Sequence, residues 1–345
     1  MKKNIFFIFF VLVYLDSYCQ DWDIPEEYQN KSNTSEISSL NIKKRNTLLL
    51  SELALYTGSL VGLNELWYSK YDKDNFHFIN DNGEWLQMDK LGHLTASYYS
   101  GVVGIKAYKW TGMKRKNAIW YGGLTGTFFL TIIEILDGYS AEWGASSGDL
   151  LANGFGSLVA ISQELYWNEQ RIQLKYSFRP SRWSDQNPEQ LGNNLVEKIF
   201  KDYNGQTYWI SFNLKSLFNI QKENFPHWLS VSLGHSGNKM LSPYQPNDGE
   251  GKNWYPKRKR QFLLSLDVDL NKIKTNNKYL NTILHTFGFL KFPMPTLELS
   301  NNKLYCGHLV SVRKSSFLKY FSCFFKSKLI SFFVEFFLNI YAYLC

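Results

Sequence analysis

Residues 130–167 read LTIIEILDGYSAEWGASSGDLLANGFGSLVAISQELYW: two apolar runs of helical length joined by a polar, glycine-rich turn. Ionisable groups are costly inside such runs and persist where they are paired or functional. Glu134 and Asp137 stand three apart at the end of the first run, on one helix edge. Two carboxylates so placed can share a proton or bind a metal. Asp149, Asn153 and Gly156 fall at i, i+4 and i+7 on the second run and form one stripe. Ser146 or Ser147 suits the N-cap of that helix, and Asp149 suits its positive end. Capping leaves Asn153, one turn deeper, without a reason.

Working upstream, Asp89-Lys90-Leu91-Gly92-His93 opens another apolar run. Asp89 and His93 are four apart, roughly 40° apart around a helix axis. His93 can give one ring nitrogen to a carboxylate and keep the other for a proton, a substrate or a metal. Each cluster also has an ordinary explanation: Asp89 as a helix cap, His93 as a satisfied polar residue, Glu134 and Asp137 as a hydrated pair. Together they mark Asp89, Lys90, His93, Glu134, Asp137, Ser146, Asp149 and Asn153 as one polar centre. A divalent metal on Asp89, His93, Glu134, Asp137 and Asp149 is the one cofactor such donors suggest, and none is firmly implied. Gly144-Ala145-Ser146-Ser147-Gly148 matches Gly-x-Ser-x-Gly, but a nucleophile elbow needs a preceding strand, and Ser140–Trp143 is a poor one.

Four apolar runs, Leu48–Tyr68, Leu94–Trp110, Ala118–Leu136 and Leu150–Trp167, predict a four-helix domain over residues 47–170. At ~1.5 Å per residue they just cover a hydrocarbon core of ~30 Å. Small residues recur four apart at Gly58/Gly62, Ser97/Gly101 and Gly122/Gly126, a spacing that lets helix backbones approach closely. Trp67, Trp110, Trp120 and Trp167 lie near the run ends, like an interfacial belt. Glu52, Glu65, Lys106, Glu134 and Glu164 inside the runs argue the other way. The balance favours membrane-associated helices over a soluble bundle.

After Trp167 the period becomes two. Ile172, Leu174, Tyr176 and Phe178 alternate with polar residues. Further strands are expected at Tyr208–Leu214, Leu229–Gly234 and Phe262–Leu270, with a hairpin from Thr296–Ser300 to Lys303–Cys306. Helices are expected over Leu191–Tyr203 and Lys278–Leu290. Six strands are few for a membrane barrel, where about eight is the minimum, so residues 171–306 read as a small periplasmic β-rich domain. The fold class is therefore α+β, a membrane-associated four-helix domain followed by a small β-rich domain.

Residues 1–19 read as a secretory signal: Lys2 and Lys3, the apolar run Ile5–Leu15, then Ser17-Tyr18-Cys19. Asp16 and Tyr18 fit poorly in a lipobox, so lipid anchoring at Cys19 is doubtful. Residues 20–46 form a polar lead-in, and residues 307–345 an apolar and basic tail on which no function is built. The cysteines outside the signal, Cys306, Cys323 and Cys345, make no disulfide framework, and there is no Cys-x-x-Cys. The formal charge of +8 owes much to the two ends, and Lys257–Arg260 is the one dense basic run. This pattern excludes a nucleic-acid partner and leaves a membrane lipid or envelope component; no protein partner can be named.

The ordered motifs Asp89–His93, Glu134–Ser140 and Trp143–Gly156 resemble the YfiM-like family, a domain of unknown function described as predicted periplasmic lipoproteins. The wider pattern is similar to VanZ-like membrane proteins, some linked to glycopeptide-antibiotic resistance. The resemblance covers residues 48–180 and implies a periplasmic location without an established reaction. The expectation is a cell-envelope protein serving envelope maintenance or resistance to surface-acting compounds. The rival is a metal-dependent hydrolase or transferase acting on a lipid-linked or phosphorylated envelope substrate.

Overall fold

The structure, a computed structural model, describes residues 40–66, 68–245, 255–300 and 303–308. The signal segment, the lead-in up to residue 39 and the tail from residue 309 lie outside the described residues. The chain is mixed helix and sheet, with a helical unit up to Leu174 and a sheet unit from Lys175.

The helical unit holds α1 (Ile42–Leu66), α2 (Met88–Trp110), α3 (Arg115–Gly123), α4 (Thr125–Gly138) and α5 (Ser147–Trp167). α1 starts inside the stretch read as lead-in, because the Asn41 side chain accepts the Lys44 amide at 3.0 Å and caps it. The third apolar run is two helices broken at Leu124, where Thr125 Oγ1 donates to the Gly122 carbonyl at 2.8 Å. The core joins Tyr98, Val102 and Ile105 of α2 to Ile119 of α3 and to Ala160 and Ile161 of α5. Charges inside the runs find partners: Glu164 pairs with Lys109, and Glu52 accepts from the Tyr108 hydroxyl at 2.9 Å.

Two of the three small-residue pairs sit at helix crossings. A Cβ on Gly122 would run into the backbone of Gly104, and one on Gly126 into the backbone of Ser97. Gly62 instead faces open space. Gly122→Val should therefore lower the melting temperature sharply, since overpacking costs about 1–3 kcal/mol and backbone here cannot yield. Gly62→Ala should hold or raise it, because alanine is the better helix former. Equal effects from the two would show that the crossing is not close-packed.

A parallel bridge of two short strands sets the site. β1 (Phe78–Ile79) pairs with β2 (Ala145–Ser146), which ties the loop before α2 to the start of α5.

The sheet unit runs β3 (Ile172–Phe178), β4 (Gln206–Asn213), β5 (Leu229–Asn238), β6 (Lys259–Val268), β7 (Pro295–Ser300) and β8 (Lys303–His308), in that spatial order. The pairs from β4 to β8 are antiparallel. The helix expected over 191–203 is broken: Pro188–Leu191 and Leu195–Lys201 are separate, with Gly192 at φ 98° between them. Lys278–Thr286 is helical, shorter than expected. The strand positions agree with the period-two pattern, but their polarity is reversed: serines and acids are buried, while Phe262, Leu264 and Leu266 are exposed.

Candidate metal centre

Three backbone features build the centre. The first is a left-handed turn: Trp85, Leu86 and Gln87 hold φ of 45°, 54° and 59° in succession. Each such residue costs about 1–2 kcal/mol, and the buried Trp85 ring and a 2.5 Å bond from Gln87 Nε2 to the Asn82 carbonyl hold the turn. Gln87 takes the position before α2, so Asp89, a cap candidate by sequence, lies in its first turn instead. The second feature is the β2–α5 junction. Ser146 caps α5, its Oγ accepting the Asp149 amide at 3.1 Å and donating to Asp81 Oδ1 at 2.6 Å. Ser140–Trp143 forms no strand, as expected, and Ser146 itself lies in the two-residue β2; its hydroxyl is committed to the cap and to Asp81, which does not suit a nucleophile. The third is the end of α4, where Glu134 Oε2 accepts the Ser146 amide at 3.0 Å.

Lys90 lies among the acids. Its Nζ is 2.5 Å from Asp81 Oδ2, 2.9 Å from Asp149 Oδ2 and 3.6 Å from Asp89 Oδ2. His93 Nδ1 is 3.1 Å from Asn153 Oδ1 and 3.7 Å from Glu134 Oε1. Held as a donor to Asn153, that nitrogen leaves Nε2 to accept a cation. The Asn153 backbone carbonyl takes bonds from Ser97 Oγ at 2.6 Å and Thr127 Oγ1 at 2.8 Å, which ties α2, α4 and α5 together beneath the histidine.

Donor atoms of Asp89, His93 and Asp149 lie within 4.8 Å of one another, so a single cation at ~2.0–2.5 Å from each can bridge them. Asp149 is 3% exposed, and its Oδ1 makes no hydrogen bond among the described residues. The same holds for Nδ2 of the buried Asn153, one turn along the same face. A buried carboxylate oxygen left unpaired is costly unless something positive meets it.

Electrostatics point the same way. Burial, then the neighbouring Asp89, pushes the Asp149 carboxyl up to about 7. Burial likewise raises Glu134 to about 7 and Asp137 to about 6, against the partial relief from His93 and from Tyr68. Burial pulls His93 down, but the carboxylates of Asp89, Asp149 and Glu134 outweigh it and its value rises. Burial also opposes ionisation of Asp81, yet the bonds from Lys90 and Ser146 hold it below its ordinary value. Acid groups thus outnumber the cations, and the excess is met by protons or by a metal ion.

All eight residues singled out from sequence lie in or beside this centre. The proposed donor set is narrower than the five named from sequence: Glu134 caps Ser146 and faces His93, and Asp137 accepts the Tyr68 hydroxyl at 2.6 Å. Asp81 and Tyr68 escaped the sequence reading. Asp81 sits in Asn80-Asp81-Asn82-Gly83, which reads as an ordinary polar turn.

No curated protein and no solved structure matches the chain. Residues 74–164 match a family model described as "Predicted periplasmic lipoprotein (DUF2279)". The matched segment contains Asp81 and all eight residues singled out from sequence, leaves out Tyr68, and stops short of the sheet unit. That description supports an exported, periplasmic location in the cell envelope.

Proposed function

We propose that this is a membrane-associated envelope protein whose helical unit binds a divalent cation between Asp89, His93 and Asp149. The observation that carries the reading is the convergence of those donors within 4.8 Å, beside a buried Asp149 Oδ1 that has no hydrogen-bond partner among the described residues. Two carboxylates and an imidazole suit zinc or manganese better than a soft metal. Membrane association rests on outward apolar stripes. On α5, Leu151, Phe155, Leu158 and Leu165 recur at helical spacing and are exposed, as are Phe128 and Ile135 of α4. Among the described residues one helical stretch, Arg115–Gly138, has the length and composition to cross a membrane, though it breaks at Leu124. The helical unit is read as resting on lipid through these stripes, with its charged end in water. Such a placement would serve envelope maintenance or resistance to surface-acting compounds.

A second reading, a metal-dependent hydrolase or transferase on a phosphorylated or lipid-linked substrate, is favoured by Glu134. Its carboxyl stands 3.7 Å from His93 and is poised near neutrality, as a general base requires.

Calorimetric titration of the chelator-treated full chain with Mn²⁺ and Zn²⁺ tests the cation reading. One ion should bind per chain, and Asp149→Asn should weaken it at least tenfold, the ~1.4 kcal/mol that a lost charged ligand exceeds. No saturable binding of either ion, or unchanged binding in Asp149→Asn, would overturn it.

A further inference from the structure

The sheet is built inside out. Soluble sheets bury their apolar face and wet the polar one. Here Ser211, Asn213, Ser230, Ser232, Ser265 and Asp267 are all buried, with Asp267 at 0%, while Leu233 between the β5 serines is 51% exposed. The strand registers turn this alternation into continuous outer rows. Ile210, Leu233, Leu264 and Leu297 lie side by side across β4 to β7. Phe212, Val231 and Leu266 form the row on one side of them. Tyr208, His235, Phe262, Leu299 and Leu304 form the row on the other.

The inner face is a satisfied polar interior. Lys175 Nζ on β3 lies 3.0 Å from Asp267 Oδ2 on β6, although those strands are not neighbours in the sheet, so the sheet curls around its polar side. Ser211 and Ser232 also donate to Asp267, and Lys291 donates to the Leu266 and Phe292 carbonyls. The far side of β3 is partly paired too: the Tyr176 amide donates to the Phe289 carbonyl at 2.9 Å, and the Lys291 amide to the Tyr176 carbonyl at 2.8 Å. This contact is an isolated parallel bridge at Tyr176 and Leu290, which brings the segment before β7 alongside β3.

We infer that this sheet is inserted in a lipid bilayer, its outer rows against hydrocarbon and its Lys175–Asp267–Lys291 network filling a polar lumen. Polar-in, apolar-out alternation on successive antiparallel strands is what a bilayer selects and what water opposes. The two longest strands have the length: β5 and β6 have 10 residues each, and at ~3.3 Å per residue with a tilt of ~40° each spans roughly 25 Å, the height of the apolar band of such walls; β3 and β4, with 7 and 8 residues, and β7 and β8, with 6 each, are shorter. Charge also agrees. Lys259 and Arg260 open β6 beside the Tyr208–Phe262 row, where lipid phosphates would meet them. The small periplasmic sheet expected from sequence required these rows to face inward. The inference rests on the envelope location and is independent of the cation site.

The test places the photoreactive residue p-benzoylphenylalanine at Leu264 or Leu233 in the full chain. Each variant is reconstituted into phosphatidylethanolamine–phosphatidylglycerol vesicles and irradiated. Adducts carrying the mass of one phospholipid should dominate at both positions, and the same probe at exposed Lys116 of α3 should give about tenfold fewer. A crosslinked dimer, a crosslink to another protein, or chain that stays soluble without detergent and gives no lipid adduct would overturn the inference. Asp149→Asn in the Leu264 probe chain should leave the lipid adduct intact, so loss of cation binding and failure to insert are read separately.

Discussion

Lys90→Met should cost about 3–5 kcal/mol at pH 8 in chelator-treated protein, the scale seen when one partner of a buried charge network is removed. Methionine keeps the apolar stem and deletes the ammonium that now lies 2.5 Å from Asp81, 2.9 Å from Asp149 and 3.6 Å from Asp89. Those carboxylates would then face one another with His93 as the nearest cation. The loss is a large share of an ordinary domain stability of about 5–15 kcal/mol. It should shrink at pH 5, where the acids can take up protons, and again when Mn²⁺ or Zn²⁺ is added at pH 8. Thermal or urea melts of the variant at both pH values measure this. A loss that is the same at pH 5 and pH 8 and indifferent to either ion would mean that Lys90 serves only as packing.

The wild-type protein, stripped of divalent ions, should lose stability as pH rises from about 5 to 8. Asp149 and Glu134 are raised to about 7 and Asp137 to about 6 in the fold, against about 3.9–4.3 in the unfolded chain. Between those values the native state holds more protons than the unfolded state, so the slope of stability with pH is negative. His93 acts in the same direction: its folded value is raised, so its contribution is full below about 6.5 and is lost as pH climbs through the folded value. Asp81 acts oppositely and lower, its held-down carboxyl contributing above about 4 and losing that contribution on acidification. The metal-free optimum therefore lies on the acid side of neutrality. A divalent ion prefers the deprotonated acids, so it should flatten the decline, adding about 2.7 kcal/mol at pH 8 when present at a hundred times its dissociation constant. Denaturation series at stepped pH, with and without Mn²⁺, check both halves. Stability that stays level or rises from pH 5 to 8 without metal would contradict the burial of these charges.

What the chain discloses by itself follows from periodicity. Asp89 with His93, and Asp149 with Asn153, are four apart, and the helix geometry that aligns each pair is local, so these stripes were visible in sequence. That α2, α4 and α5 bring them together depends on contacts across the bundle, such as Gly126 on the Ser97 backbone and Ser97 on the Asn153 carbonyl. The break at Leu124 was hidden because the apolar run continues through it. Asp81 was hidden because a turn-rich loop gives an acid no apolar background to stand out from. The sheet shows the limit most clearly. Alternation at period two separates Phe262, Leu264 and Leu266 from Ser265 and Asp267, but it is unchanged when inside and outside are exchanged. Which face is buried depends on the surrounding solvent, and water and lipid give opposite answers.

The most direct measurement is anomalous diffraction from crystals of the full chain grown with Mn²⁺. A peak is expected about 2.0–2.5 Å from carboxylate oxygens of Asp89 and Asp149 and from a ring nitrogen of His93. Well-ordered Asp89, His93 and Asp149 with no peak between them, or manganese bound only at surface acids elsewhere, would contradict it.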